Sequence, residues 1–215
     1  MIVVIDPARQ TPELDAFNNM VRTTGLAMSY HLPAMFGLGS LQAENPDNIK
    51  AMVILGSASS VNERLPWQIE LETWIRPHLE RGVPTLGICY GHQMLAFMYG
   101  GSVDYIYPDR HKHLGSRIVD MIATGPWAAA KGTLMVSHNE VVTQAPGDMQ
   151  VIASSPEVAI DGLAHKRLPI WSLQSHPEAT LAFLHQHQLP LDVHGKSLSF
   201  GHSLVQAFLR FAASR

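Results

Sequence analysis

Residues 87–93 read Gly-Ile-Cys-Tyr-Gly-His-Gln and contain the only cysteine of the chain. The residues before them, Val83-Pro84-Thr85-Leu86, predict a short buried strand. Those after them, Met94-Leu95-Ala96-Phe97-Met98, predict an apolar helix. A Gly-x-Cys-x-Gly run at a strand-to-helix turn is the cysteine form of a nucleophile elbow. So tight a turn demands small neighbours, here Gly87 and Gly91. It sets the side chain at a helix N-terminus, where unpaired N–H groups and the helix dipole favour a thiolate. A lone cysteine is more often a small buried hydrophobe than a nucleophile, so partners elsewhere must decide.

A thiol nucleophile needs a base to exchange its proton, and the base needs an orienting group. Gln174-Ser175-His176-Pro177-Glu178 follows a predicted strand, Ile170–Leu173, and supplies both. His176 is the expected general base and acid. Glu178 is the expected acceptor of its other ring N–H.

The elements that must carry these residues follow from apolar periodicity. Runs at Ile2–Ile5, Ala51–Leu55, Thr85–Ile88, Ile118–Ile122, Leu134–Val136, Val151–Ala153 and Ile170–Leu173 predict strands. Several are continuous rather than alternating, as in strands covered on both faces. Thr11-Pro12-Glu13 predicts the cap and first turn of a helix carrying Leu14, Phe17 and Val21. Pro66–Arg81 predicts a second helix, with Ile69, Leu71, Trp74, Ile75 and Leu79 at helical spacing, a break or kink at Pro77 and a stop at Gly82. Ser203–Ala212 predicts an amphipathic helix, and His31–Asn48 and Gln186–Gly201 read as loops. The alternation predicts an α/β domain: one unit over residues 1–215 with a mostly parallel central sheet and helices on both faces. In such sheets, sites form beyond the carboxyl ends of the strands, where Cys89 and His176 fall.

Composition narrows the function classes. A chain of 215 residues, 46% apolar and 15% charged, can bury a sizeable core. A net charge of −3 without a Lys/Arg cluster argues against nucleic acid. No apolar run reaches membrane-spanning length, the first residues lack a signal peptide's pattern, and a single cysteine suits a reducing compartment. The expected location is cytoplasmic. Histidine occurs twelve times, but neither His111 and His113 near Asp109 nor His185-x-His187 has zinc-ligand spacing. No metal and no cofactor is expected.

Four segments carry a resemblance: Ile54–Val61, Gly87–Gln93, Ser137-His138-Asn139-Glu140 and Gln174–Glu178. In order and spacing they resemble class I glutamine amidotransferases, closest to the stand-alone, GMP-synthase-like members, with the match strongest over residues 2–184. The resemblance implies a flavodoxin-like fold and a Cys89-His176-Glu178 triad that hydrolyses the glutamine side-chain amide. It implies an oxyanion hole of backbone N–H groups from Tyr90 and the Gly56–Ser57 loop. It also assigns glutamine binding to Gln93, Ser137 and His138. The partners it implies are a small molecule, glutamine or a γ-glutamyl compound, and a synthetase that receives the ammonia. A stand-alone γ-glutamyl hydrolase or peptidase using the same triad is the alternative, and a non-catalytic regulatory subunit is a third. The chain departs from the family pattern at Ser57, at Ser175, where an aromatic is usual, at Glu140, and at His113 before Leu114-Gly115.

Overall fold

The computed structural model describes residues 1–189 and 195–215. Its centre is a nine-stranded sheet in the order β2-β1-β3-β4-β11-β10-β9-β6-β7. Here β1 is Ile2–Ile5, β2 Met28–His31, β3 Ala51–Ile54, β4 Thr85–Ile88, β6 His113–Met121, β7 Ala130–His138, β9 Met149–Ser154, β10 Gly162–His165 and β11 Ile170–Leu173. The run from β2 to β11 is parallel, and the rest is an antiparallel extension. The expected parallel sheet is thus the half that bears the site. A separate ribbon pairs β5 (Ser102–Tyr105) with β8 (Glu140–Gln144).

Continuous apolar strands behave as their composition demands, because each face meets helices. Val4, Val53, Leu86 and Leu173 pack with Met20 of α1 (Leu14–Thr24) and with Leu204, Val205, Phe208 and Leu209 of α7 (Gly195–Ala213). Val3, Ile5, Met52 and Ile54 pack with Leu71, Ile75 and Leu79 of α4 (Pro66–Glu80) and with Tyr90, Met94 and Leu95 of α5 (Tyr90–Met98). Phe208 and Leu209 are fully buried, worth about 1.5–3 kcal/mol each in transfer free energy.

Several expectations are corrected. Helix α1 starts at Leu14 with Glu13 at its cap, so Thr11 and Pro12 precede it. The Glu13 N–H is taken at 2.7 Å by the buried Asp6 carboxylate, which replaces a side-chain cap. Leu14 is half exposed, and Ala16 and Met20 make the buried stripe instead. Helix α4 runs through Pro77 to Glu80. The proline lies in the last turn, where little helix remains to lose, and Leu71, Ile75 and Leu79 anchor it. Ile69 faces solvent rather than core.

The stretch His31–Asn48 holds α2 (Pro33–Phe36), α3 (Gly39–Gln42) and a 3₁₀ turn at Pro46–Asn48. Gln186–Gly201 is not a loop throughout: α6 (Leu181–Gln186) ends in it, and α7 begins at Gly195. Residues 190–194 of that expected loop lie outside the described residues. Strands β2, β5, β8 and β10 had no clear apolar run to announce them. No helix among the described residues is long and apolar enough to cross a membrane.

Candidate active site

Parallel pairing of β4 with β11 sets Ile88 opposite Leu173, so their carboxyl ends are level. The chain leaves β4 at Cys89, whose N–H donates to Leu173 O at 2.9 Å. Cys89 sits at φ 51° and ψ −101°, in the left-handed half of backbone space, a strain of about 1–3 kcal/mol for a non-glycine residue. The flanking glycines are required by space. A Cβ at Gly87 would stand 2.6 Å from Gly91 O, and one at Gly91 only 2.4 Å from Ile54 O. Backbone cannot yield as a flexible side chain does. Gly91→Ala is therefore expected to cost about 1–3 kcal/mol or more by forced overpacking, read as a lower midpoint in urea unfolding.

The segment after β11 is held from three sides. Gln174 N donates to Asp161 O at 2.7 Å, and His176 N donates to Met135 O of β7 at 2.8 Å. Gly201 of α7 lies so close to Pro177 that an added Cβ would fall 2.5 Å from its carbonyl oxygen. His176 is thereby aimed at Cys89. A Cβ placed on Gly56 would meet His176 Cε1 at 2.9 Å and Cys89 Cβ at 3.6 Å, so all three residues converge on one point.

Nδ1 of His176 lies 2.8 Å from Oε1 of Glu178, and both side chains are almost fully buried. Burial opposes a charge on the ring, yet the Glu178 carboxylate and the nearby Cys89 sulfur outweigh it. The imidazole pKa is held well above its ordinary value. The other nitrogen, Nε2, is buried and has no hydrogen bond of ordinary length, although it stands close enough to the sulfur for their charges to interact.

These groups open on a cavity of about 770 Å³ that also exposes Gly56, Ser57, Gln93, Ser137 and His138. Tyr90 is the first residue of α5, where an N–H has no partner within the helix. Ser57 spends its hydroxyl on structure: Oγ donates to Pro7 O at 2.7 Å and accepts from Ser59 N at 3.1 Å. Gln93 gives its amide N–H groups to Glu140 O at 2.8 Å and Gln174 Oε1 at 3.2 Å, which leaves its own Oε1 for a donor. Ser137 Oγ lies 3.4 Å from His187 Nε2, and burial lowers the His187 pKa to about 4. All nine residues expected from the sequence thus lie at this end of the sheet.

Other residues escaped the sequence reading. Gln174 Nε2 donates to Cys89 Sγ at 3.7 Å, so the residue two before His176 touches the nucleophile candidate. Lys112 lines the cavity, and burial lowers its pKa while the Cys89 sulfur pulls it back up. Glu13 also lines it; burial first, then the charge of Glu178, raises its pKa to about 7.

Glu13 has a consequence for stability. A carboxyl that keeps its proton longer when folded makes the native state bind more protons between the ordinary value of 4.5 and about 7, so stability falls as pH rises through that window. Glu13→Gln is expected to match the parent in thermal melts near pH 4.5 and to exceed it above pH 7. An equal difference at both pH values would contradict this.

Among the described residues no cluster of three or more His, Cys, Asp or Glu side chains could hold an ion. His111 instead pairs with Asp109 at 2.6 Å, and His113 Nδ1 lies 2.6 Å from the Tyr107 hydroxyl.

The family model "Glutamine amidotransferase class-I" matches residues 33–192. A GMP synthase [glutamine-hydrolyzing] of Bifidobacterium longum is 30% identical over 177 residues, covering 82% of this chain and 31% of that protein. One from Burkholderia cenocepacia is 32% identical over 139 residues, 61% of this chain and 25% of that protein. The chain therefore spans a third or less of the length of these relatives. Among solved structures, a putative GMP synthase subunit from Thermoplasma acidophilum superimposes with a TM-score of 0.75 at 22% identity, covering 100% of this chain and 95% of that one. A glutamine amidotransferase from Thermotoga maritima gives a TM-score of 0.76 at 17% identity, covering 98% of each chain. With a family match across most of the chain and that fold over all of it, the chain belongs to the class-I glutamine amidotransferases.

Proposed function

We propose that residues 1–215 act as one amidotransferase unit that hydrolyses the side-chain amide of glutamine through a thioester on Cys89. The observation that carries this reading is the convergence of Cys89, His176 and Gly56 on one point, with Glu178 behind the imidazole.

The Cys89 sulfur attacks the amide carbon, and the carbonyl π electrons move to oxygen. N–H groups of Tyr90 and of the Gly56–Ser57 loop receive that oxyanion, each such donor being worth about 2.7–4 kcal/mol of barrier. His176 gives its proton to the nitrogen as the carbon–nitrogen bond breaks, and ammonia departs. Glu178 keeps the ring oriented and supports its charge. His176 then takes a proton from water, whose oxygen attacks the thioester, and glutamate leaves as the thiolate re-forms. Gln93, Ser137 and His138 bind the amino-acid end. The chemistry uses side chains, backbone and water alone. The ammonia passes to a synthetase, as the GMP synthases among the relatives suggest by name.

A second reading, hydrolysis of γ-glutamyl peptides by the same thioester, is favoured by the cavity. At about 770 Å³ it has the volume of sites that accept drug-sized ligands, and Lys112 on its lining offers a cation to a second carboxylate. The test is to assay purified protein for ammonia and glutamate against glutamine and a panel of γ-glutamyl peptides. Ammonia from glutamine, alone or with a co-purifying synthetase, supports the first reading. Amine release from peptides with glutamine untouched replaces it with the second. Neither product in any mixture would refute both.

A further inference from the structure

Three of the segments that meet at the cavity are tied together by a chain of amide groups that ends on the sulfur. Gln93 gives away both hydrogens of its side-chain nitrogen, one to the backbone oxygen of Glu140 at 2.8 Å and one to Gln174 Oε1 at 3.2 Å. Gln174 Nε2 in turn lies 3.7 Å from Cys89 Sγ. Gln174 is wholly buried, and Gln93 and Cys89 are each 4% exposed.

The direction of this chain is fixed at its far end. A backbone carbonyl can only accept, so the nitrogen of Gln93, not its oxygen, faces Glu140. The Gln174 atom that meets the same nitrogen is therefore its oxygen, and its own NH2 is left facing the sulfur. A flip of the Gln174 amide would set two donors against each other and turn an oxygen toward Cys89. The relay forbids both.

We propose that Gln174 is a further catalytic residue: its N–H, aimed through Gln93 by the Glu140 carbonyl, stabilises the negative charge on Cys89 Sγ as the thioester breaks down. The inference rests on the thioester reading above and holds whether the substrate is glutamine or a γ-glutamyl peptide. In the second half of that cycle His176 takes a proton from water, and the water oxygen adds to the thioester carbon. The carbon–sulfur bond then breaks with its electron pair going to sulfur, and the new carboxyl group loses its proton to solvent. Because Cys89 is so little exposed, hydrogen bonds to the sulfur anion have to come from the protein. Sulfur in a thioester carries no charge and accepts weakly, whereas a bond to an anion is roughly twice as strong as a neutral one. The N–H thus favours the departing sulfur over the thioester it leaves, and only such a difference speeds the step.

The test is Gln174→Met, which keeps the side-chain length and removes the donor. Parent and variant are loaded with the methyl thioester of glutamate's γ-carboxyl, whose good leaving group makes the first half of the cycle fast. Acid quench and peptide mass then follow the decay of the γ-glutamyl group on Cys89. Decay should slow about 10-fold, near the lower end for a hydrogen bond to a charged group. In a Cys89→Ala background no sulfur is present, so Gln174→Met there reads only what is lost through Gln93. Glutamine affinity by calorimetry should change no more than a few-fold in that background. Adduct decay as fast as in the parent, or a loss of turnover fully matched by weaker binding in the Cys89→Ala background, overturns the proposal. Nitrogen-15 NMR checks the contact without substituting Gln174: its side-chain amide signal should move between parent and Cys89→Ala, and an unmoved signal also overturns the proposal. Failure of the thioester reading would appear separately, as no γ-glutamyl group on Cys89 in the parent itself.

Discussion

Cys89→Ala removes ammonia release from glutamine, by a factor on the order of 10⁵–10⁶, while the protein keeps its fold. The size follows from the proposed thioester: without sulfur there is no covalent step, and only the oxyanion donors and substrate binding can still help. The fold survives because alanine is smaller than cysteine and occupies the same backbone. The strain at φ 51° is present in both, and Gly87 and Gly91, which the turn depends on, are untouched. The comparison needs turnover by ammonia detection and thermal melting of both proteins. Turnover within ten-fold of the parent would mean that another group attacks.

The second large effect separates the roles of His176 and Glu178. His176→Ala takes away the imidazole that converges with Cys89 at Gly56, and a loss comparable to that of Cys89→Ala is expected. Glu178→Gln leaves an amide oxygen within reach of Nδ1 and removes a charge rather than the base. Its loss should be smaller, about 10⁴-fold or less in kcat by analogy with orienting carboxylates in other triads. The pH profile should shift with it. Glu178 is the larger of the two charges that raise the His176 pKa, so its neutralisation lets burial pull that pKa down. His176 then loses its proton at lower pH, and the alkaline limb of the kcat profile moves to lower pH in Glu178→Gln. Equal losses in the two variants, with an unmoved profile, would show that the assignments are wrong.

How much of this was legible in the sequence depends on how local each determinant is. The elbow was legible because its glycines stand two residues on either side of Cys89, and only tight backbone geometry demands them there. Strands β1, β3, β4 and β11 were legible because burial on both faces makes them wholly or largely apolar. Strands β2 and β8 carry polar residues, Ser29 and His31 in one and Glu140, Thr143 and Gln144 in the other, so no apolar run marks them. Proline at 77 does not end the helix, because its local cost is outweighed by contacts with strands far off in sequence. The buried pair of Arg117 with Asp161, and the bond from Arg117 Nη1 to His138 Nε2, were invisible for the same reason. The partners are 44 and 21 residues apart, and nothing local distinguishes them from surface charges. Gln174 was visible as part of a motif, but its contact with Cys89 spans 85 residues.

The most direct measurement is to mix protein with glutamine, quench in acid and weigh the peptides. A covalent γ-glutamyl group, glutamine less ammonia, should appear on the peptide containing Cys89. It should build up when water attack is slowed and be absent from Cys89→Ala. Ammonia release at full rate with that peptide unmodified under every quench, or an adduct on any other residue, would contradict the account.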